Sequence, residues 1–460
     1  MIDRNKQINP LASAPVPGLL VRFAVPSIIA MLVGALYNIV DQIFIGQAVG
    51  PLGNAATNIA FPLSTMCLSM ALMFGIGGAS SFNLAMGSGN KNDAPYYVGN
   101  SVSMLAICGI VLSVITTLFL TPILKLFGTS ENILPYAVEY VRVTAVGFPF
   151  MILTSGGGHL IRADGSPRMT MICNLTGAVV NTILDAIFVF GFGWGMTGAA
   201  AATVIGQVCS AVIVIVYITH YKTVQLEKRH FIIKKKYTLR AASIGTASFI
   251  NQLAMMIVMI VINNSLAHYG ALSSYGADIP IACAGIVMKV NQVIFSIVIG
   301  IAQGTQPIMS FNYGAKNYGR VKEAYRYAVI VSVLISILAF IAFQTVPDKI
   351  LAMFGKGSKE YYEFGTRYFR IFLFFIWLTA LQLITSTFFT SIGKPIRGII
   401  LSLTRQIIFF LPLLLILPRF FGIDGIVYTG PASDLLSAIV AVVMAGMEFK
   451  RINSLEDNNG

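Results

Sequence analysis

The chain has 460 residues, of which 56% are hydrophobic and 11% charged, and its mean hydropathy is +0.79. Soluble domains carry about 25% charged residues, so this composition excludes a soluble globular protein and marks a polytopic membrane protein. The net charge of +13 does not signal nucleic-acid binding, because the basic residues lie in short loops between apolar runs instead of on one polar face.

Residues 1–16, MIDRNKQINPLASAPV, are polar and lack an apolar core with a cleavage signal, so no signal peptide is expected. Apolar runs long enough to cross a bilayer, about 20 residues each, follow at 17–45, 54–85, 98–121, 136–162, 169–192 and 197–219. A basic stretch, His220 to Arg240, interrupts them. Six more runs lie at 241–269, 279–312, 324–346, 363–391, 397–417 and 423–447. The expected fold is all-α, with twelve transmembrane helices in two pseudo-symmetric six-helix bundles. The expected division is an N-terminal segment 1–16, a first bundle 17–219, a linker 220–240, a second bundle 241–448 and a tail 449–460. Most of the 31 basic residues fall on the side of the N-terminus and the even-to-odd loops, among them Lys91, Arg162, Arg168, Lys234, Lys316 and Lys394. Basic loops stay cytoplasmic, so both termini are expected there.

The halves repeat. Gly89-Asn90-Lys91-Asn92 returns as Gly314-Ala315-Lys316-Asn317, and Phe127-Gly128 as Phe354-Gly355. Gly165-Ser166-Pro167 returns as Gly393-Lys394-Pro395, and Gly198 as Gly425. Each match sits in the corresponding loop of its half, at an offset of about 225–228 residues. An even helix number per repeat makes the repeats parallel, a transporter arrangement with the substrate route between the bundles.

Taken in chain order, the first helix carries Pro26, which removes a backbone hydrogen bond and predicts a kink or local weakening. It also carries Tyr37-Asn38-Ile39-Val40-Asp41. The fifth helix carries Asn181 and Asp185, four apart and so on one helical face. Counted from the helix starts, Asp41, Asp185 and Thr203 of the sixth helix lie at similar depth, in the outer half of the membrane. Intramembrane acids cost about 2.5–3.5 kcal/mol each on insertion scales and mark functional sites by default. Two carboxylates, an amide and a hydroxyl supply oxygen ligands for Na⁺, or the two acids share a proton. The bland alternative makes each acid a hydrogen-bonded residue between helices. At an offset of 228, Asn181 and Asp185 fall on Phe409 and Leu413, so the ionisable chemistry is confined to the first bundle apart from Lys289, Arg405, Asp434 and His268.

Met66, Met70, Tyr37, Asn38, Asn263, Asn264, Lys289 and Gln292 are candidate lining residues of a substrate cavity. Lys289 either faces that cavity or pairs with a polar neighbour, and Arg405 and Asp434 are expected to form a structural ion pair. The five cysteines are unpaired packing residues, with neither disulfide nor zinc spacing. No GxxxxGK[ST] phosphate loop and no HExxH motif occurs, so neither an ATPase nor a metalloprotease is indicated.

On Pro26 and Tyr37-Asn38-Ile39-Val40-Asp41, the glycine–lysine loops, Gly165-Ser166-Pro167 and Asn181-Thr182-Ile183-Leu184-Asp185, the chain resembles the MATE (multidrug and toxic compound extrusion) family, in particular its MepA-type bacterial branch. The resemblance spans roughly residues 15–450. It implies a monomeric, multi-pass protein of the bacterial plasma membrane that exports amphipathic, mainly cationic compounds in exchange for inward H⁺ or Na⁺. It implies no enzymatic activity, no cofactor beyond the coupling ion, no nucleic acid and no ATPase subunit. It also implies that Asp41, Asn181, Asp185 and Thr203 form the cation site. The seventh and tenth helices lack the membrane acids of another branch, which favours coupling through the first bundle. A lipid-linked precursor flippase of the same fold superfamily is the alternative.

Overall fold

The computed structural model describes residues 10–127, 129–276, 278–354 and 358–457, and within them every regular element is a helix. Six helices run through the first half: α1 (Val16–Ala48), α2 (Pro51–Gly87), α3 (Ala94–Leu118), α4 (Leu134–Ala163), α5 (Pro167–Gly191) and α6 (Gly195–Thr219). The second half holds α7 (Lys235–Ala271), α8 (Asp278–Gly314), α9 (Tyr318–Thr345), α10 (Lys359–Phe372 with Ile376–Ser391), α11 (Pro395–Phe421) and α12 (Ile423–Asp457). Eleven of these are long and apolar enough to cross a membrane, and α10 makes a twelfth if its two segments, bent by 46°, count as one span. Helix α3 stops at Leu118 and a separate short helix, Leu120–Leu126, follows. Helix α7 begins at Lys235, inside the stretch expected as linker, and α12 runs through Asp457, into the expected tail. Residues 1–9 and 458–460, and Gly128 and Gly355 of the Phe-Gly repeat, lie outside the described residues.

Proline opens α2, α3, α4, α5 and α11 within the first turn, where its missing N–H would have no partner anyway. Four helices end in the same left-handed turn. Gly89 N–H donates to Met86 O and Asn90 N–H to Ala85 O, and the pattern recurs at Gly165/Ser166, Lys316/Asn317 and Gly393/Lys394. The left-handed residues are Gly89, Gly165, Gly393 and, with φ of 59°, Lys316. The structural counterpart of Gly89 is therefore Lys316 and not Gly314. The true offset there is 227, in line with the other repeats, and the sequence match was two residues out of register.

A second register change lies in α11. Thr404–Phe410 is π-helical, whereas the π-helical stretch of α5 comes later, at Ala186–Gly191. A π-bulge inserts one residue. Upstream of it the buried positions match at 228, as Thr170 with Gly398 and Cys173 with Leu401; downstream they match at 229. The buried counterparts of Asn181 and Asp185 are thus Phe410 and Leu414, one position beyond Phe409 and Leu413. Both remain apolar.

The apolar cores divide the molecule by depth. At the end bearing the loops 88–93, 164–166, 315–317 and 392–394, one core joins the first half of α1 to α8, α9, α10 and α12. Small residues bring backbones together there. A Cβ on Gly245 of α7 would lie 2.5 Å from the carbonyl carbon of Met73 on α2, and one on Gly304 of α8 would lie 2.6 Å from Cα of Ala24 on α1. Gln306 of α8 donates to Ser80 Oγ of α2 at 2.9 Å across the same seam. At the opposite end the cores separate into one built from α1, α2, α4, α5, α6 and Leu120–Leu126 and another built from α7 to α12. Such packing seals one end and leaves a cleft at the other.

Candidate functional site

The close approach of α5 and α6 builds the site. A Cβ on Gly206 of α6 would lie 2.7 Å from the Gly177 carbonyl oxygen and 3.2 Å from Asn181 Cβ, so the two helices meet backbone to backbone one turn before Asn181. That contact sets Asn181 Nδ2 3.2 Å from Thr203 Oγ1, to which it donates. Asp185 follows one turn later, immediately ahead of the π-helical stretch, a distortion frequent at functional sites. Asp41 comes from α1. Asp41, Asn181 and Asp185 are 8%, 2% and 0% exposed. The Asp41 and Asp185 carboxyls lie within electrostatic reach of each other, and the phenols of Tyr37 and Tyr140 lie within reach of both. The four residues expected to form one site are thus brought together.

Four buried oxygens there have no hydrogen-bond donor among the described residues: Asp41 Oδ1, Asn181 Oδ1 and both carboxylate oxygens of Asp185. Structural carboxylates between helices take donors from their neighbours, since leaving a buried charge unpaired costs several kcal/mol, on the order of 3–5. Acceptors without donors suit a positive species. Among the described residues no group of three or more His, Cys, Asp or Glu side chains is placed to hold a metal ion. The donor set of two carboxylates and an amide oxygen therefore fits a hard monovalent cation or a proton shared by the two acids.

The cleft faces follow from the contacts at the sealed end. Gly300 of α8 packs on Ile28 of α1, and Gln303 lies against Met31. Lys289 and Gln292 stand 11 residues before them, about 20° away on the helical wheel, and both are exposed. They point toward α1 where the bundles have parted. Asn38 and Gln42, 7 and 11 residues after Met31, lie within about 20° of its face and are also exposed. Asn263 stands 18 residues after Gly245, five full turns, so it shares the face of α7 that meets α2. Met66 and Met70 lie within about 20° of Gly77, the α2 residue against Ala241 of α7.

Two expected lining residues are placed differently. Tyr37 sits about 80° from Asn38's far side and beside Asp41, so it belongs to the carboxylate site. Asn264 is turned about 100° from Asn263 and leaves the cleft face. Pro26 lies within an unbroken α1, buried near the contacts of Ala24 and Ile28, with Ser27 Oγ donating to Phe23 O at 2.8 Å. Arg405 Nε donates to Asp434 Oδ1 at 2.9 Å, the expected ion pair, whereas Lys289 has no ion-pair partner among the described residues.

Sequence reasoning missed Tyr140, Gln42 and a fully buried acid, Glu448, which takes Lys394 and Arg397 as partners. Gln42 was open to detection, since it stands beside Asp41 at helical spacing from Asn38. Glu448 was obscured by the adjacent Lys450 and Arg451, which give it the look of a helix end in solvent.

The MatE family model matches residues 26–187 and 247–416. The chain is 25% identical over 443 residues to the multidrug export protein MepA of Staphylococcus aureus (strain MSSA476), covering 96% of each chain. It is 24% identical to a protein named as an FAD transporter from Shewanella oneidensis, again over 96% of each. A solved outward-facing conformation of a multidrug resistance MATE family transporter of the MOP superfamily superposes with a TM-score of 0.89 at 22% identity, covering 96% of this chain and 98% of that one.

Proposed function

We infer, from the premise that this chain belongs to the MatE family, that it is a secondary active efflux antiporter. It exports amphipathic, mainly cationic compounds in exchange for inward H⁺ or Na⁺. In this reading it lies in a bacterial plasma membrane as a monomer with both termini cytoplasmic, and the bundles 17–219 and 241–448 rock about the sealed seam. The observation that carries it is the group of orphaned buried oxygens on Asp41, Asn181 and Asp185.

The geometry suggests how ion and substrate communicate. Helix α1 presents Asp41 and Tyr37 to the carboxylate site and Asn38 and Gln42 to the cleft, and its first half packs on α8. A cation entering the carboxylate site removes the repulsion between Asp41 and Asp185 and draws α1 toward α5. The face of α1 that lines the cleft moves with it. Coupling follows to the extent that the cation binds the two cleft states unequally. A lipid-linked precursor flippase would need several cations for a pyrophosphate, and the cleft faces of α1, α2, α7 and α8 carry one, Lys289.

Ethidium transport in proteoliposomes under an H⁺ or a Na⁺ gradient, imposed separately, tests this. Asp41→Asn and Asp185→Asn are each expected to abolish gradient-driven transport, and the gradient that drives the parent protein identifies the ion. Undiminished transport in both variants would overturn the site.

A further inference from the structure

Lys289 is the one ionisable side chain, among the described residues, on the faces of α1, α2, α7 and α8 that border the cleft. It is exposed and has neither a hydrogen bond nor an ion pair among the described residues. The other membrane-embedded cation of the second bundle, Arg405, is neutralised by Asp434. A lysine deep in a membrane protein costs about 2.5–3.5 kcal/mol and is ordinarily paired or turned into water. Lys289 is level with Ile39–Asp41 of α1, as the antiparallel contacts Gly304–Ala24 and Gly300–Ile28 require when extended along both helices. The two acids at that depth form no ion pair with it among the described residues and are 8% and 0% exposed, with Asp41 turned about 80° from Met31's face of α1.

The neighbours of Lys289 are donors. Gln292 lies one turn away on the same face, and Gln42 faces it from α1. Neither side-chain amide makes a hydrogen bond among the described residues, whereas Asn38 Nδ2 is already committed to Gly34 O at 2.7 Å. A flexible ammonium flanked by two free amides, with no carboxylate on the bordering faces, is chemistry for an anionic group.

We propose that the cleft accepts amphipathic substrates bearing an acidic group, a carboxylate or phosphate, and that Lys289, with Gln292 and Gln42, is the subsite that holds it. The proposal rests on the transporter reading and extends its substrate class from cations to zwitterions and acids.

Rhodamine B, which has a free carboxylate, and its ethyl ester, a cation alone, form a matched pair of probes. Binding to the full-length protein in neutral detergent is read by fluorescence anisotropy, and transport in phosphatidylcholine vesicles is followed with ethidium alongside. Lys289→Met is expected to weaken rhodamine B binding about tenfold more than binding of the ester, and Lys289→Arg to retain it. Equal loss for acid and ester, or no loss for either, overturns the subsite. A defect seen only when phosphatidylglycerol is added to the vesicles assigns Lys289 to a lipid phosphate and also overturns it. Binding selectivity without ethidium transport by the parent protein leaves the subsite standing and removes the antiporter reading.

Discussion

Gly245→Ala is the sharpest test of the sealed end. The added Cβ would lie 2.5 Å from the Met73 carbonyl carbon and 2.7 Å from its Cα, against the roughly 3.0 Å that real Cβ atoms keep. Met73 is backbone in the middle of α2, so relief requires the two helices to part. Overpacking of this kind costs about 1–3 kcal/mol. Alanine is the better helix former by about 1 kcal/mol, so the cost falls on the sealed arrangement and not on α7 itself. If a second arrangement with this end parted exists, its population rises about 5- to 150-fold relative to the sealed one. Spin labels at Lys91→Cys and Asn317→Cys, in exposed turns after α2 and α8, report the separation by pulsed EPR in liposomes. Gly34→Ala, where a Cβ meets nothing within 4 Å, is the control. A Gly245→Ala distance distribution indistinguishable from that control would refute the reasoning.

Four further outcomes are expected. Asn181→Ala removes the Thr203 bond and one of the orphaned oxygens, so ion-driven ethidium transport should fall several-fold, less than in Asp185→Asn. Breaking the Arg405–Asp434 pair with Asp434→Leu should cost about 3–5 kcal/mol of stability, and adding Arg405→Met should recover most of it, read by thermal unfolding in detergent. Lys316→Gly exchanges a left-handed penalty of about 1–2 kcal/mol for the 0.5–1 that glycine costs in the unfolded chain, so a small rise in melting temperature is expected. Bonds from Lys236 Nζ at 2.8 Å and Tyr237 Oη at 2.6 Å hold the Asp93 carboxyl below the usual carboxylate range. A carboxyl with a lowered folded pKa stabilises above its unfolded value and loses that contribution as pH falls through the folded one. The stability difference between the parent and Asp93→Asn should therefore be constant from pH 5 to 8 and shrink only below about pH 4.

Spacing along a helix was legible without coordinates. Asn181 and Asp185 share a buried face because four residues complete a turn, and counting from each helix start placed Asp41 and Thr203 at their depth. The glycines at 165 and 393 announced matching turns, since a left-handed helix end favours glycine. Direction around a helix was not legible where a neighbour decides it. Tyr37 and Asn38 are adjacent in sequence, yet one joins the carboxylates and the other borders the cleft, and only the packing of α1 on α8 distinguishes them. Register failed at two places for local reasons: a lysine takes the left-handed position that glycine fills in the first half, and a π-bulge in α11 adds a residue that hydropathy does not reveal.

By itself the sequence determined that this chain spans a membrane as a repeated helical array with the Asp41 and Asp185 pair in the first half. Desolvation makes each intramembrane charge conspicuous in an apolar run, and periodicity carries it to one face. Tertiary structure decided, among the described residues, which oxygens lack donors, that Lys289 stands unpaired while Arg405 and Glu448 are neutralised, and which end is shut. Those facts depend on contacts between different helices, from Asn181 with Thr203 to Gly304 with Ala24, where a small residue beside a backbone sets how closely two helices approach.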